Sequence, residues 1–146
     1  MSEQGVPEAA AAPSPALCPS DVVVAQLAGM RREPRHGDGA GPGVQTVWAF
    51  SSPGNRAATG PLDAFAAILR SPLYRGLLEH RAAQLGPLLE SGDQAQQEVL
   101  VLTAEDRAIG FTWVLTRQAG CWLTEGVLRH PDRSGPDDGD PGEGDR

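Results

Sequence analysis

The sequence has no lysine: its twelve basic residues are all arginine. Against a background rich in alanine, glycine and proline, this reads as coding bias rather than as arginine chosen for phosphate recognition. There are only two cysteines, Cys18 and Cys121, which excludes a disulfide framework and any cysteine-based zinc spacing. His36, His80 and His130 are too far apart to supply metal-ligand spacing, so no metal and no other cofactor is expected. Aromatic residues make up 5% of the chain, with one tyrosine, so each large ring is a candidate for the core or for a pocket. No apolar run approaches the ~18 residues that would span a bilayer, and no membrane association is expected. The first residues lack a basic stretch followed by an apolar one and carry Glu3 and Glu8. That predicts neither a secretory signal nor an organelle transit peptide, hence a cytoplasmic protein.

What charge there is lies at the ends. The formal net charge is −7. Residues 130–146 hold six acids against Arg133 and Arg146 and contribute −4, and Glu3 and Glu8 contribute −2, leaving about −1 between. A near-neutral centre has no basic patch for nucleic acid. Residues 1–19 (Ala, Pro and Ser) and 130–146 (Gly, Pro and Asp) have the composition of disordered tails. A single domain over 20–129 is long enough to build a core without metals or disulfides.

Within that domain the hydrophobic period changes from helical to alternating. Ser20 or Asp21 caps a helix reaching about Arg32, with Val23, Leu27 and Met30 on one face and Pro34 beyond its end. Arg35–Gly43 reads as a flexible linker. Its glycines do not make a phosphate loop, because no strand precedes them and the Gly-Lys-Ser/Thr ending is missing. Val44–Phe50 is a short apolar helix, broken by Ser51-Ser52-Pro53-Gly54-Asn55. Gly60-Pro61 opens another, burying Leu62, Phe65 and Leu69 with Ile68 beside them, and Ser71-Pro72 ends it. Tyr74, Leu77 and Leu78 mark one more helical turn. His80–Glu90 has helical propensity, but Gly86-Pro87 would break a helix, so it is assigned as an irregular edge strand. Residues 95–103 direct Ala95, Gln97, Val99, Val101 and Thr103 to one side. Residues 108–117 do the same with Ile109, Phe111, Trp113 and Leu115. In 121–128, Cys121, Leu123, Glu125 and Val127 alternate with Trp122, Thr124, Gly126 and Leu128. Short turns make these strands an antiparallel meander. Helices first and strands after give an α+β class, with N-terminal helices packed on a curved, mainly antiparallel sheet.

Two stretches carry a resemblance. One is V-W-A-F-S-S-P-G-N-R with the following G-P-L-D-A-F-A-A-I-L-R-S-P-L-Y. The other is F-T-W-V-L-T-R-Q followed by G-C-W-L-T-E-G-V. Over roughly Asp21–Leu128 the chain resembles the domain of unknown function 4864 family, within the nuclear-transport-factor-two-like superfamily. The resemblance implies an α+β cone whose sheet wraps three helices around an open mouth. Some members of that superfamily are ketosteroid isomerases, polyketide cyclases or scytalone dehydratase, whereas others bind partners or dimerise through the sheet. It supplies no catalytic residue. The chain departs from the family where only Ala119 separates Gln118 from Gly120, which puts the length and register of the last hairpin in question.

Candidate site residues follow from chemistry. Tyr74 and His80 would pair an oxyanion donor with a general base, the alternative being a core-edge tyrosine and a solvent-exposed histidine. Asp63 and Glu125 would form an acid–base pair. Asp63 is equally an ordinary first-turn acid, and Glu125 matters only if its strand face is buried. Trp48, Trp113 and Trp122 would line a pocket or pack the core. Cys121 would need a base and exposure to act as a nucleophile. Ser51 and Ser52 lack the glycine-flanked elbow of hydrolases. Arg56, Arg70, Arg75 and Arg81 would bind an anion or form a solvated face. No specific catalytic constellation emerges. The expectation is a module that binds a small molecule or pairs with itself through its sheet, with a small isomerase, dehydratase or cyclase as the alternative.

Overall fold

A computed structural model describes residues 12–33 and 39–131. The tail segments 1–11 and 132–146, and His36 with part of the glycine-rich loop, lie outside the described residues. Among the described residues, five helices precede four strands: α1 Pro19–Arg31, α2 Pro42–Ala49, α3 Pro53–Thr59, α4 Leu62–Leu69 and α5 Arg75–Leu78, then β1 His80–Ser91, β2 Gln94–Thr103, β3 Ala108–Gln118 and β4 Cys121–Arg129. The strands form one antiparallel sheet in the order β1-β2-β3-β4. This is the α+β arrangement the change of period predicts.

α1 begins earlier than expected. Cys18 occupies the N-cap position, Pro19 opens the helix, and the Asp21 carboxylate accepts from the Cys18 N–H at 3.1 Å. Leu17, assigned to the tail, packs against the core. Val22, Val23, Leu27 and Met30 are buried against the sheet. The C-terminal end of the linker is helical, because Pro42 and Gly43 form the first turn of α2. Glu33 holds that turn, accepting from the N–H groups of Gly41 (2.8 Å) and Val44 (2.9 Å) and from Arg70 (2.7 Å).

α3 was not foreseen. Ser52-Pro53 stops α2 and also starts a helix: Ser52 caps α3 by accepting from the Asn55 N–H at 3.1 Å, and proline sits at the first helical position. In α4, Phe65 and Leu69 are buried, but Ile68 is exposed rather than beside them in the core. Between α2 and α3, residues 50–52 run along β4. The Thr124 N–H donates to Phe50 O at 2.7 Å, and the Ser52 N–H to Thr124 O at 2.8 Å. This parallel bridge covers the outer edge of the sheet at one rung.

β1 is an edge strand with register shifts, as Gly86-Pro87 requires. Gln97, fully buried on β2, fixes the break: its amide donates to Gly86 O at 2.7 Å, while Ser20 of α1 donates to its carbonyl at 2.5 Å. The inward sets on β2 and β3 are those read from alternation. The last hairpin closes with the two residues Ala119 and Gly120, both at positive φ (52° and 81°), which suits the right-handed twist of tight hairpins.

β4 departs from simple alternation. Leu115 pairs with Thr124 and Val114 with Gly126, so Glu125 is an extra residue, a β-bulge. Trp122 and Thr124 face inward, Glu125 is pushed out, and Val127 packs against the core. Glu125 and Val127, expected on one face, are therefore separated by the bulge.

Candidate functional site

The helices and the inner face of the sheet enclose a cavity of about 200 Å³. Met30 of α1, Val47 of α2, Phe65 and Leu69 of α4, Leu77 of α5, and Trp113 and Val127 of the sheet give it apolar walls. Ser51, Asn55, Thr59, Tyr74 and Thr124 are its polar lining residues. Exposed Ile68 and Leu128 lie at its rim. An engineered cavity of about 150 Å³ holds benzene, so this volume suits a single small ring compound.

The polar groups are differently committed. The Tyr74 hydroxyl donates to Val127 O at 3.0 Å, tying the α4–α5 connection to β4, and its ring stacks near Phe111 with centroids 6.3 Å apart. Ser51 donates to Val47 O at 3.3 Å. Behind the wall lies Gln26, fully buried on α1. Its amide donates to Thr124 Oγ1 at 2.8 Å and to Val22 O at 3.2 Å, and its carbonyl accepts from the Trp113 indole N–H at 3.4 Å. Indole N–H only donates and a carbonyl only accepts, so the Gln26 amide has one sensible orientation. Thr124 is thereby made an acceptor.

Of the pocket candidates Trp48, Asp63, Tyr74, His80, Trp113, Trp122 and Glu125, Tyr74 and Trp113 line this cavity, and the other five do not. His80 is buried rather than solvent-exposed. It is the first residue of β1, opposite Thr103, and its Nδ1–H donates to Leu77 O at 2.6 Å. Desolvation by burial lowers its pKa from 6.5. The Leu77 hydrogen bond opposes that shift, and the Arg31 charge adds to it. It does not reach the cavity, so the proposed Tyr74–His80 pair does not form there. Asp63 is an exposed first-turn acid. Glu125 is exposed by the bulge and accepts from the Ser52 hydroxyl at 2.6 Å, so no Asp63–Glu125 pair lines the cavity either. Trp48 is half-buried, with the Arg56 guanidinium 3.9 Å from its ring centroid. Arg56 also donates to Trp48 O at 3.0 Å at the end of α2, where a cation suits the helix dipole. Trp122 is buried, and Arg117 lies over it at 5.1 Å. The arginine cluster disperses: Arg56 is on Trp48, Arg70 on Glu33 and Arg81 on Asp106.

Sequence reasoning missed Gln26, Thr124, Asn55 and Thr59, and weighed Ser51 only as a nucleophile. A lone glutamine inside V-V-V-A-Q-L-A-G-M was the available signal, since a polar side chain on a buried helix face needs a partner. Elsewhere, His130 Nε2 meets Thr112 Oγ1 at 2.7 Å and Glu98 at 3.2 Å. Among the described residues no group of three or more His, Cys, Asp or Glu side chains is placed to hold a metal ion. Nor, among those residues, is any helix long and apolar enough to cross a membrane.

No protein-family model matches the chain, so the likeness to the domain of unknown function 4864 family remains a resemblance. No curated protein matches it. Among solved structures, the chain is similar to a Campylobacter jejuni protein provisionally named an NTF2-like transpeptidase. The two are 13% identical, the match covers 75% of this chain and 99% of the other, and the TM-score is 0.52. At that identity the likeness speaks for the fold alone: helices first, then a four-stranded antiparallel sheet, in the NTF2-like arrangement.

Proposed function

We propose that this chain is a binding module for a small, uncharged, largely apolar molecule held between the helices and the sheet. One observation carries the reading: among the described residues the cavity is lined by apolar side chains, hydroxyls and one amide, with no carboxylate, imidazole, guanidinium or thiol. A desolvated charge on the ligand would find no partner there. General acid–base catalysis needs a titratable group within hydrogen-bond reach of the substrate. The isomerase, dehydratase or cyclase alternative uses Tyr74, His80, Asp63 or Glu125 in the pocket, and of these four Tyr74 lines the cavity, its hydroxyl already donating to Val127 O. The transpeptidase designation of the Campylobacter protein does not carry over to this reading. Neither Cys18 nor Cys121 lines the cavity, and Ser51 meets no base in it.

Ligand-observed NMR with small neutral aromatics, alongside native mass spectrometry of the purified chain, tests the proposal. Binding should saturate at one molecule per chain and be lost in Ile68→Trp, which narrows the rim at a partly exposed position. Turnover of a carbonyl compound that is abolished by Tyr74→Phe would overturn the binding reading.

Self-association through the sheet is the second reading. Leu89 and Leu100 are 68% and 47% exposed, and their pairing with Gln96 and Gln84 places them opposite the buried face. A monomer at high micromolar concentration by light scattering would remove it.

A further inference from the structure

The polar network behind the cavity wall does not close on itself. Trp113 Nε1–H donates to Gln26 Oε1, and Gln26 Nε2 donates to Val22 O and Thr124 Oγ1. A threonine hydroxyl accepts through its lone pairs and also carries one proton to give away. The Thr124 oxygen is engaged as an acceptor, and among the described residues its hydroxyl donates no hydrogen bond. Thr124 is 3% exposed and lines the cavity. A buried donor without an acceptor is costly, and such groups in native proteins usually have a reason.

We infer that the Thr124 hydroxyl is the recognition donor of this cavity, and that the ligand class is a neutral, compact apolar molecule carrying one hydrogen-bond acceptor, such as a ketone or ester carbonyl. The inference rests on the binding reading above. Gln26 is the positioning residue. Held by Trp113 and Val22, it always presents N–H to Thr124 and so leaves the hydroxyl proton for the ligand. The backbone fixes the donor as firmly as the side chains do. Thr124 is bonded on both sides to residues 50–52, and the Glu125 bulge follows directly, so its strand cannot slip register without losing both bonds. A carboxylate ligand would find this donor but no cation, whereas a hydrocarbon would leave the donor unmet. A carbonyl fits both the volume and the single proton.

The test uses two isosteric probes, acetophenone and α-methylstyrene, which differ in a C=O against a C=CH2. Binding to the full chain is measured by NMR titration, and the carbonyl stretch of bound 13C-acetophenone by infrared difference spectroscopy. In the wild type the stretch should fall to lower wavenumber than in hexane. In Thr124→Val it should return, with acetophenone weakened about fivefold to tenfold, as one neutral hydrogen bond predicts. α-Methylstyrene should be unchanged or tighter, and Thr124→Ser should restore the ketone preference. If both probes bind but Thr124→Val affects neither, or both equally, this inference fails while the cavity reading stands. If neither probe binds the wild type, both fail. Should Thr124→Val not fold, an unshifted carbonyl stretch in the wild type alone overturns the inference.

Discussion

Two buried polar clusters in this molecule invite comparison, because one is complete and the other is not. At the α1–α2 connection, the Glu33 side chain is fully buried and its oxygens accept from two backbone N–H groups and from Arg70. Each group there has what it needs, and the cluster fixes three helices relative to one another. At the cavity, Gln26, Trp113 and Thr124 are equally buried, yet one proton is left over. Both clusters answer the cost of burying polar atoms. On the proposed reading, the closed cluster is scaffold and the open one beside the cavity is the site.

The largest expected effect breaks the closed cluster. Glu33→Ala strands Arg70 and two N–H groups at the first turn of α2, and should cost about 3 kcal/mol of stability in urea denaturation. Arg70 keeps partial access to water, which holds the loss near the low end for a broken buried pair. Probe binding per folded molecule should not change. A loss below about 0.5 kcal/mol would mean that the Glu33 bonds are replaced by water at no cost.

Next is Gln26→Leu. The volume is nearly kept, but the Trp113 N–H is left buried without an acceptor and Thr124 without its donor. The loss should be about 2 kcal/mol. Unlike Glu33→Ala, this change should also erode the preference for a ketone over its hydrocarbon isostere, because Thr124 is then free to rotate.

His80 is an intermediate case: one ring nitrogen is bonded to Leu77 O, and the ring is buried away from the cavity. Its folded pKa lies below the unfolded value of 6.5, so the unfolded chain takes up the proton first. Its contribution to stability is therefore present above 6.5 and is lost as pH falls through the folded value. His80→Phe should flatten the acid limb of stability against pH relative to wild type, with probe affinity unaltered. An unchanged limb would mean that the imidazole is hydrated in solution.

How far the sequence foretold these features depends on whether the signal was local. Alternation in Ala95–Thr103 and Ile109–Leu115 revealed the central strands because burial of one sheet face imposes a period of two. Gly86-Pro87 disclosed the broken edge strand because proline and a regular ladder are incompatible. Ser52-Pro53 was read as a stop when it is also a start, since the same two residues satisfy both. His80, between Glu79 and Arg81, looked exposed, and its burial is imposed by pairing with Thr103, far along the chain. Most consequential was Glu125. A bulge adds one residue without changing composition, so no local pattern showed that Thr124 and Val127 would both face inward. The proposed binding group was hidden for that reason: Thr124 looks like any strand threonine until the register of β3 against β4 is known.

The smallest expected effect sharpens the comparison most. Thr124→Val removes a hydroxyl from a cluster as buried as that of Glu33, yet its stability cost should be only about 1 kcal/mol. Gln26 keeps Val22 O for one amide N–H, but its other N–H loses Thr124 as an acceptor. That cost is partly offset, because the hydroxyl proton that had no acceptor disappears along with its own desolvation cost. Removing a member of the closed cluster would then cost several times more than removing the open member of the other, at similar burial. Chemical denaturation of both variants under one condition measures this. A loss of about 3 kcal/mol in Thr124→Val would show that its hydroxyl proton is satisfied within the protein, which makes Thr124 a structural member like Glu33. A small loss paired with a changed ketone preference would assign the Thr124 hydroxyl to the ligand.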